Sequence, residues 1–218
     1  MVNSERQKTN IIIFDLDGVI VDSIGLMLEL NQNRFPGSSR KDLELLFVGN
    51  IHEQIDNLKD TYKLGNVSEN EQELLLKKYT ERKTETVVMY PRMLKLLNHL
   101  KNNGYQLSIN TSASSANTFT LLERLKIKNL FDYIITRDFA QSKIEKFKEL
   151  SKLYQCNPCD FLFITDSLGD VIEANQIDVP TIAVTWGVHS REYFRDIKLI
   201  TIVDSIEELQ EEISNYFK

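Results

Sequence analysis

A chain of 218 residues, 42% apolar and 27% charged, is long enough to bury a substantial core, as one large domain or a core with a smaller insert, and its composition excludes disorder as the main state. Its formal charge of -6 argues against a nucleic-acid binder with a broad basic surface, because neutralising phosphates needs clustered Lys and Arg. A small anionic ligand stays compatible, since a few local cations outweigh a modest net charge.

In chain order, residues 1–10 are polar and lack the apolar core of a secretory signal. No run approaches the roughly 20 apolar residues of a membrane span, so a cytoplasmic protein with no membrane partner is expected. Ile11-Ile12-Ile13-Phe14 then reads as a buried strand, followed at once by Asp15-Leu16-Asp17-Gly18. Residues i and i+2 of an extended segment point the same way, so Asp15 and Asp17 can converge on one cation while Gly18 lets the chain turn. A solvated strand end is the competing reading of those four residues alone. Residues 23–85 read as helices at 25–33, 41–47, 52–63 and 69–83, broken by the turn signals Pro36-Gly37-Ser38-Ser39 and Gly65-Asn66. Their Glu and Lys runs read as solvated helix faces.

From Tyr90-Pro91 onward helix and strand alternate: helix 92–102, strand 106–110, helix 115–125, strand 133–136, helix 143–154, strand 161–165, a helix after Gly169, strands 181–185 and 200–203, and a helix from Ile206. This alternation predicts an α/β fold, a Rossmann-like doubly wound parallel sheet with helices on both faces, which binds ligands at the carboxyl ends of its strands. The expected organisation is a core of residues 10–22 and 86–218, with a helical cap of residues 23–85 inserted over the end of the first strand.

Two further strand ends carry chemistry. Strand 106–110 runs into Thr111-Ser112-Ala113-Ser114-Ser115, where hydroxyls and free N–H groups at a helix start suit an oxyanion, or simply cap the helix. Strand 161–165 runs into Asp166-Ser167-Leu168-Gly169-Asp170, whose two carboxylates offer hard oxygen ligands for Mg²⁺, with Asp170 alternatively a plain cap. Lys143 opens the intervening helix. Were these ends to adjoin, Asp15, Asp17, Asp166 and Asp170 would repel one another, and keeping them ionised would require a divalent cation and a nearby ammonium.

The segments Phe14 to Ser23, Gly104 to Ser112 and Asp166 to Asp170, together with Tyr90-Pro91, resemble the haloacid dehalogenase superfamily. The likeness is to its phosphatases with a helical cap after the first motif, the phosphoglycolate phosphatase and β-phosphoglucomutase-like branch. The resemblance implies Mg²⁺-dependent hydrolysis of a small phosphate monoester, with a small phosphorylated metabolite as partner. Asp15 would be the nucleophile that forms an aspartyl-phosphate, and Asp17 the general acid and base. Asp15, the Asp17 carbonyl, Asp166 and Asp170 would hold the metal, and Thr111, Ser112 and Lys143 the phosphoryl group. Three positions depart from the family pattern: Ile144 follows Lys143 where Pro is usual, leaving Lys146 as the other candidate lysine; Thr165 replaces Gly; and Asn110 replaces an apolar residue. Asp17 separates the chain from dehalogenases, and residues 24–33 lack the Lys of phosphonate-cleaving relatives and the His of the mutases. A phosphotransferase or mutase, or a non-catalytic phospholigand-binding protein, are the alternatives.

His52 and His99 read as structural or solvated. His189, after Trp186-Gly187-Val188, falls near the site mouth, where it either packs or gates substrate. Cys156 and Cys159 have redox-motif spacing but lack the helix N-terminus that activates such thiols, and read as incidental reduced thiols. The sequence names neither the substrate nor the oligomeric state.

Overall fold

The computed structural model describes residues 10–49, 54 and 69–218 of the chain. Six parallel strands form one sheet in the order β3-β2-β1-β4-β5-β6, with β1 Ile11–Phe14, β2 Gln106–Asn110, β3 Tyr133–Ile135, β4 Phe161–Thr165, β5 Thr181–Val184 and β6 Thr201–Val203. This is the doubly wound, Rossmann-like α/β arrangement. Strand β1 is wholly buried because both of its faces are covered, which is why it reads as a continuous apolar run instead of an alternation. Its side chains divide by parity. Ile12 and Phe14 join Met93, Leu97, Leu121 and Leu209 on one side, and Ile11 and Ile13 join Phe147, Leu150 and Ala174 on the other.

The helices are α1 Ile24–Arg34, α2 Arg40–Glu44, α3 Glu69–Thr86, α4 Met93–Asn102, α5 Ser115–Arg124, α6 Lys143–Tyr154, α7 Leu168–Asn175 and α8 Ile206–Tyr216. Serine opens each helix that leaves a functional strand end. The hydroxyls of Ser114, Ser142 and Ser167 accept from the N–H groups of Asn117, Ile144 and Asp170. The helix expected over 41–47 is shorter: α2 ends at Glu44 and a 3₁₀ turn continues over Leu45–Phe47. Arg92, expected inside the next helix, precedes it with φ 69°. Of the helix expected over 52–63, only Gln54, which is helical, lies within the described residues.

Helices α1 to α3 follow β1, with Phe35, Leu43 and Leu46 as a small nucleus of their own, and α3 packs on α1 and α5. The outgoing and returning chains run side by side: Asp22 N–H donates to Val88 O at 2.9 Å and Tyr90 N–H to Ile20 O at 3.1 Å. Among the described residues no helix is long and apolar enough to cross a membrane.

Candidate active site

In this strand order the winding reverses between β1 and β4, and a crevice opens where the connections diverge. Asp15 follows β1 and Asp166 follows β4, with the Asp15 N–H donating to Ile164 O at 2.9 Å, so the two carboxylates leave neighbouring strand ends. Asp15, Asp17, Thr111, Ser112, Asp166 and Asp170 all line one cavity of about 790 Å³, walled on the other side by residues of α1 and α3. That volume suits a small metabolite.

Lys143 sits at the centre of the acidic group. Its Nζ lies 3.0 Å from Asp15 Oδ1 and 2.9 Å from Asp170 Oδ2, and donates to Asn110 O at 3.0 Å. Burial works against its charge, but Asp15 and Asp170 outweigh it and raise the pKa of the ammonium. The start of α6 that carries it is tied down from α7, where Glu173 accepts from the N–H groups of Lys143 at 2.6 Å and Ile144 at 3.3 Å. Two departures from the family pattern serve this centre. The Thr165 hydroxyl donates to Asp170 Oδ2 at 2.7 Å, and the Asn110 amide donates to Lys143 O at 3.2 Å.

Lys146, one turn along α6, reaches a different place: its Nζ donates to the carbonyl of Thr111 at 2.7 Å. Burial, reinforced by Lys143, lowers it to about 8 from an ordinary 10.5. The folded protein therefore sheds this proton before the unfolded chain does, and the stability contributed by this site rises with pH between those values. Relative to Lys146→Met, the wild type is expected to gain on the order of 2 to 3 kcal/mol between pH 8 and 10.5 in urea unfolding. A pH-independent difference would show that the ammonium is not desolvated.

Asp17 turns from Asp15 toward the helical block. It accepts from Ser23 Oγ at 2.5 Å, and Lys83 Nζ of α3 lies 2.6 Å from its carboxylate. Lys83 is buried, and neither it nor Ser23 stood out in the sequence, where Lys83 belongs to a charged run that reads as a solvated face. Asp166 is gripped by backbone: Val188 N–H donates to Oδ2 at 2.7 Å, and a Cβ on Gly187 or Gly18 would fall 2.1 or 1.9 Å from that oxygen. Gly18 also has φ +74°, so its need for glycine is double.

His189 is buried and links core to helical block. Its Nδ1 accepts from Leu168 N–H at 2.9 Å, so Nε2 carries the proton and donates to Glu44 O at 3.1 Å. It does not line the cavity. Trp186 packs edge-on against Tyr90 and donates to Val19 O at 3.3 Å.

Burial raises Asp15 to about 7, against the pull of Lys143, and raises Asp166 well above the carboxylate range. Among the described residues no three acidic, His or Cys side chains already form a metal cage. The donors nevertheless fit a hard divalent cation in kind: the Asp15, Asp166 and Asp170 carboxylates supply only oxygen, and among the described residues Lys143 is the ammonium in contact with Asp15 and Asp170.

A family model described as haloacid dehalogenase-like hydrolase matches residues 12–184, nearly four-fifths of the chain and every residue of the acidic centre. The chain belongs to that family. Among curated haloacid dehalogenase-like relatives, the pyrophosphatase PpaX of Bacillus cereus is 23% identical over 95% of this chain and 98% of its own length, and that of Bacillus anthracis 24% over 93% and 95%. Among solved structures, a predicted phosphatase from Clostridium acetobutylicum superimposes with a TM-score of 0.75 at 23% identity, covering 95% of this chain and 99% of its own. A predicted phosphoglycolate phosphatase from Haemophilus somnus gives 0.71 at 20% identity, covering 94% and 99%. These similarities are to the fold. The family match spans the chain from β1 to β5 and includes the carboxylates that follow β1 and β4.

Proposed function

We propose that this hydrolase cleaves a small phosphate monoester through an aspartyl-phosphate on Asp15, using Mg²⁺. The observation that carries the reading is the placement of Asp15 at the open end of β1, in the cavity, with its charge shared by Lys143. Leu16 N–H donates to Asp15 Oδ1 at 2.8 Å, and Lys143 touches the same oxygen. Oδ2 is thereby left to attack phosphorus.

As the Oδ2–P bond forms, the bond from phosphorus to the ester oxygen breaks, and Asp17 gives that oxygen its proton. Asp17 then takes a proton from water, which displaces Asp15 and releases inorganic phosphate. Ser23 and Lys83 hold Asp17 for both transfers. Thr111, Ser112 and Lys143 receive the phosphoryl oxygens, and Lys146 fixes the Thr111 carbonyl behind them. Asp15, the Asp17 carbonyl, Asp166 and Asp170 would hold Mg²⁺, which when bound neutralises phosphate oxygens so that two anions can meet. Residues 10–22 and 86–218 form the catalytic core in this reading, and residues 23–85 the cap that encloses the substrate. A cytoplasmic site of action fits Cys156 and Cys159, which form no disulfide.

The test is phosphate release from p-nitrophenyl phosphate. Wild type is expected to turn over with Mg²⁺, to lose at least ~100-fold in rate in excess EDTA, and to recover on adding Mg²⁺ back. Turnover indifferent to EDTA would remove the metal from the mechanism; absence of turnover under every metal condition would favour a phospholigand-binding protein.

A further inference from the structure

One end of the cavity is accounted for by phosphoryl chemistry; the end formed by α1 is not. There the wall includes Met27, Leu30, Asn31 and, at the last residue of the helix, Arg34. Arg34 faces the same cavity as Asp15. Its Nη1 donates only weakly, to Asn31 Oδ1 at 3.4 Å, and its guanidinium lies 5.5 Å from the Phe35 ring centre. Among the described residues no carboxylate forms an ion pair with it. The other cations are placed differently: Lys143, behind the acidic group, is shared by Asp15 and Asp170, Lys83 in the cavity wall is held by Asp17, and Arg137 lines the cavity at the phosphoryl end, where its backbone N–H donates to Ala113 O. Glu73, the acid on the neighbouring wall, is exposed.

An arginine in the last turn of a helix ordinarily serves the helix dipole from solvent, where water carries its charge. Arg34 is instead half-buried in the cavity wall, and this partial burial lowers its pKa. Guanidinium is also the side chain whose planar fork matches carboxylate and phosphate oxygens in pairs. A half-buried guanidinium with no carboxylate partner among the described residues, lining the same metabolite-sized cavity as the nucleophile, calls for an anion brought by the ligand.

We infer that Arg34 seats a second anionic group, a carboxylate or a second phosphoryl, on the leaving half of the substrate, so that the substrate class is a compact phosphate ester bearing two anions. This rests on the phosphatase reading above. Arg34 is then a specificity-determining residue, acting on binding of the leaving half and not on the phosphorus.

Two pairs of substrates that differ chiefly in that group provide the test: 3-phosphoglycerate against glycerol 3-phosphate, and fructose 1,6-bisphosphate against fructose 6-phosphate. With Mg²⁺ present, wild type is expected to favour the doubly anionic member of one pair by on the order of 10- to 100-fold in kcat/KM, the strength of a charge-assisted pair. The pair that responds tells carboxylate from phosphoryl. In Arg34→Met that ratio collapses toward one through a rise in KM, and Arg34→Lys keeps part of it. Because the ratio is taken within one preparation, it does not depend on how much protein is folded. No preference in either pair for wild type, or a preference that survives in Arg34→Met, overturns the inference while p-nitrophenyl phosphate turnover upholds the phosphatase reading. If wild type hydrolyses none of the esters, p-nitrophenyl phosphate included, that reading falls and the inference with it.

Discussion

Asp15→Asn is expected to cut phosphate release by ~10⁴-fold or more, the scale seen when a covalent nucleophile is removed, while leaving the protein at least as resistant to urea as the wild type. The two halves of this expectation have separate causes. An amide oxygen can still accept the Leu16 N–H, so local shape is kept, but the amide does not form the acyl phosphate. Stability is spared because the wild-type carboxylate is buried at a cost, shown by its rise to about 7 against the attraction of Lys143. Lys143 is not orphaned by the change, since Asp170 lies 2.9 Å away. Initial-rate phosphate release and urea midpoints on the same preparation check both halves. Turnover within tenfold of wild type would remove Asp15 as nucleophile; a collapsed midpoint would mean that the Asp15–Lys143 pair holds the strand ends together.

Much of this architecture is legible because it depends on short-range patterns. Strands over 106–110 and 161–165 and the helix over 143–154 have the bounds expected from apolar runs and punctuation, as each is flanked by a turn or a capping serine. The strand-end positions of Asp15 and Asp166 and the helix-start position of Lys143 follow from the same patterns, and the parallel order brings them together. What the sequence hides is decided by contacts distant along the chain. Lys83 shares its run with Lys77 and Lys78, and no local signal separates them; only the fold buries Lys83 against Asp17, 66 residues away. Thr165 reads as a departure from glycine, yet its hydroxyl holds Asp170, an interaction that depends on how the turn into α7 closes. Lys143 and Lys146 lie on one helix face and are equally plausible on spacing. The separate positions of Asn110 O and Thr111 O at the end of β2 distinguish them.

Lys143→Met sets the opposite expectation for stability beside the same one for rate. Methionine fills the aliphatic volume but leaves Asp15 and Asp170 facing each other without the ammonium that both now contact. Removing one partner of a buried ion pair costs about 3 to 5 kcal/mol, because the remaining charge keeps its desolvation penalty, and phosphate release is expected to fall by roughly 10³-fold as phosphoryl oxygens lose a fixed cation. The pH dependence follows from the directions of the shifts. Lys143 is raised in the folded state, so its stabilisation is fully present below an unfolded value of 10.5 and is lost only in strong alkali. Asp15 is also raised, so acid discharges it first in the folded protein. The deficit of the Met variant is therefore largest at and above pH 7, and it shrinks as pH falls and Asp15 takes up a proton. Urea midpoints at pH 5 and pH 8 measure this difference. A deficit equal at both pH values would show that the loss comes from packing of the lysine stem and not from its charge; a variant as stable and as active as wild type would take Lys143 out of the phosphate site.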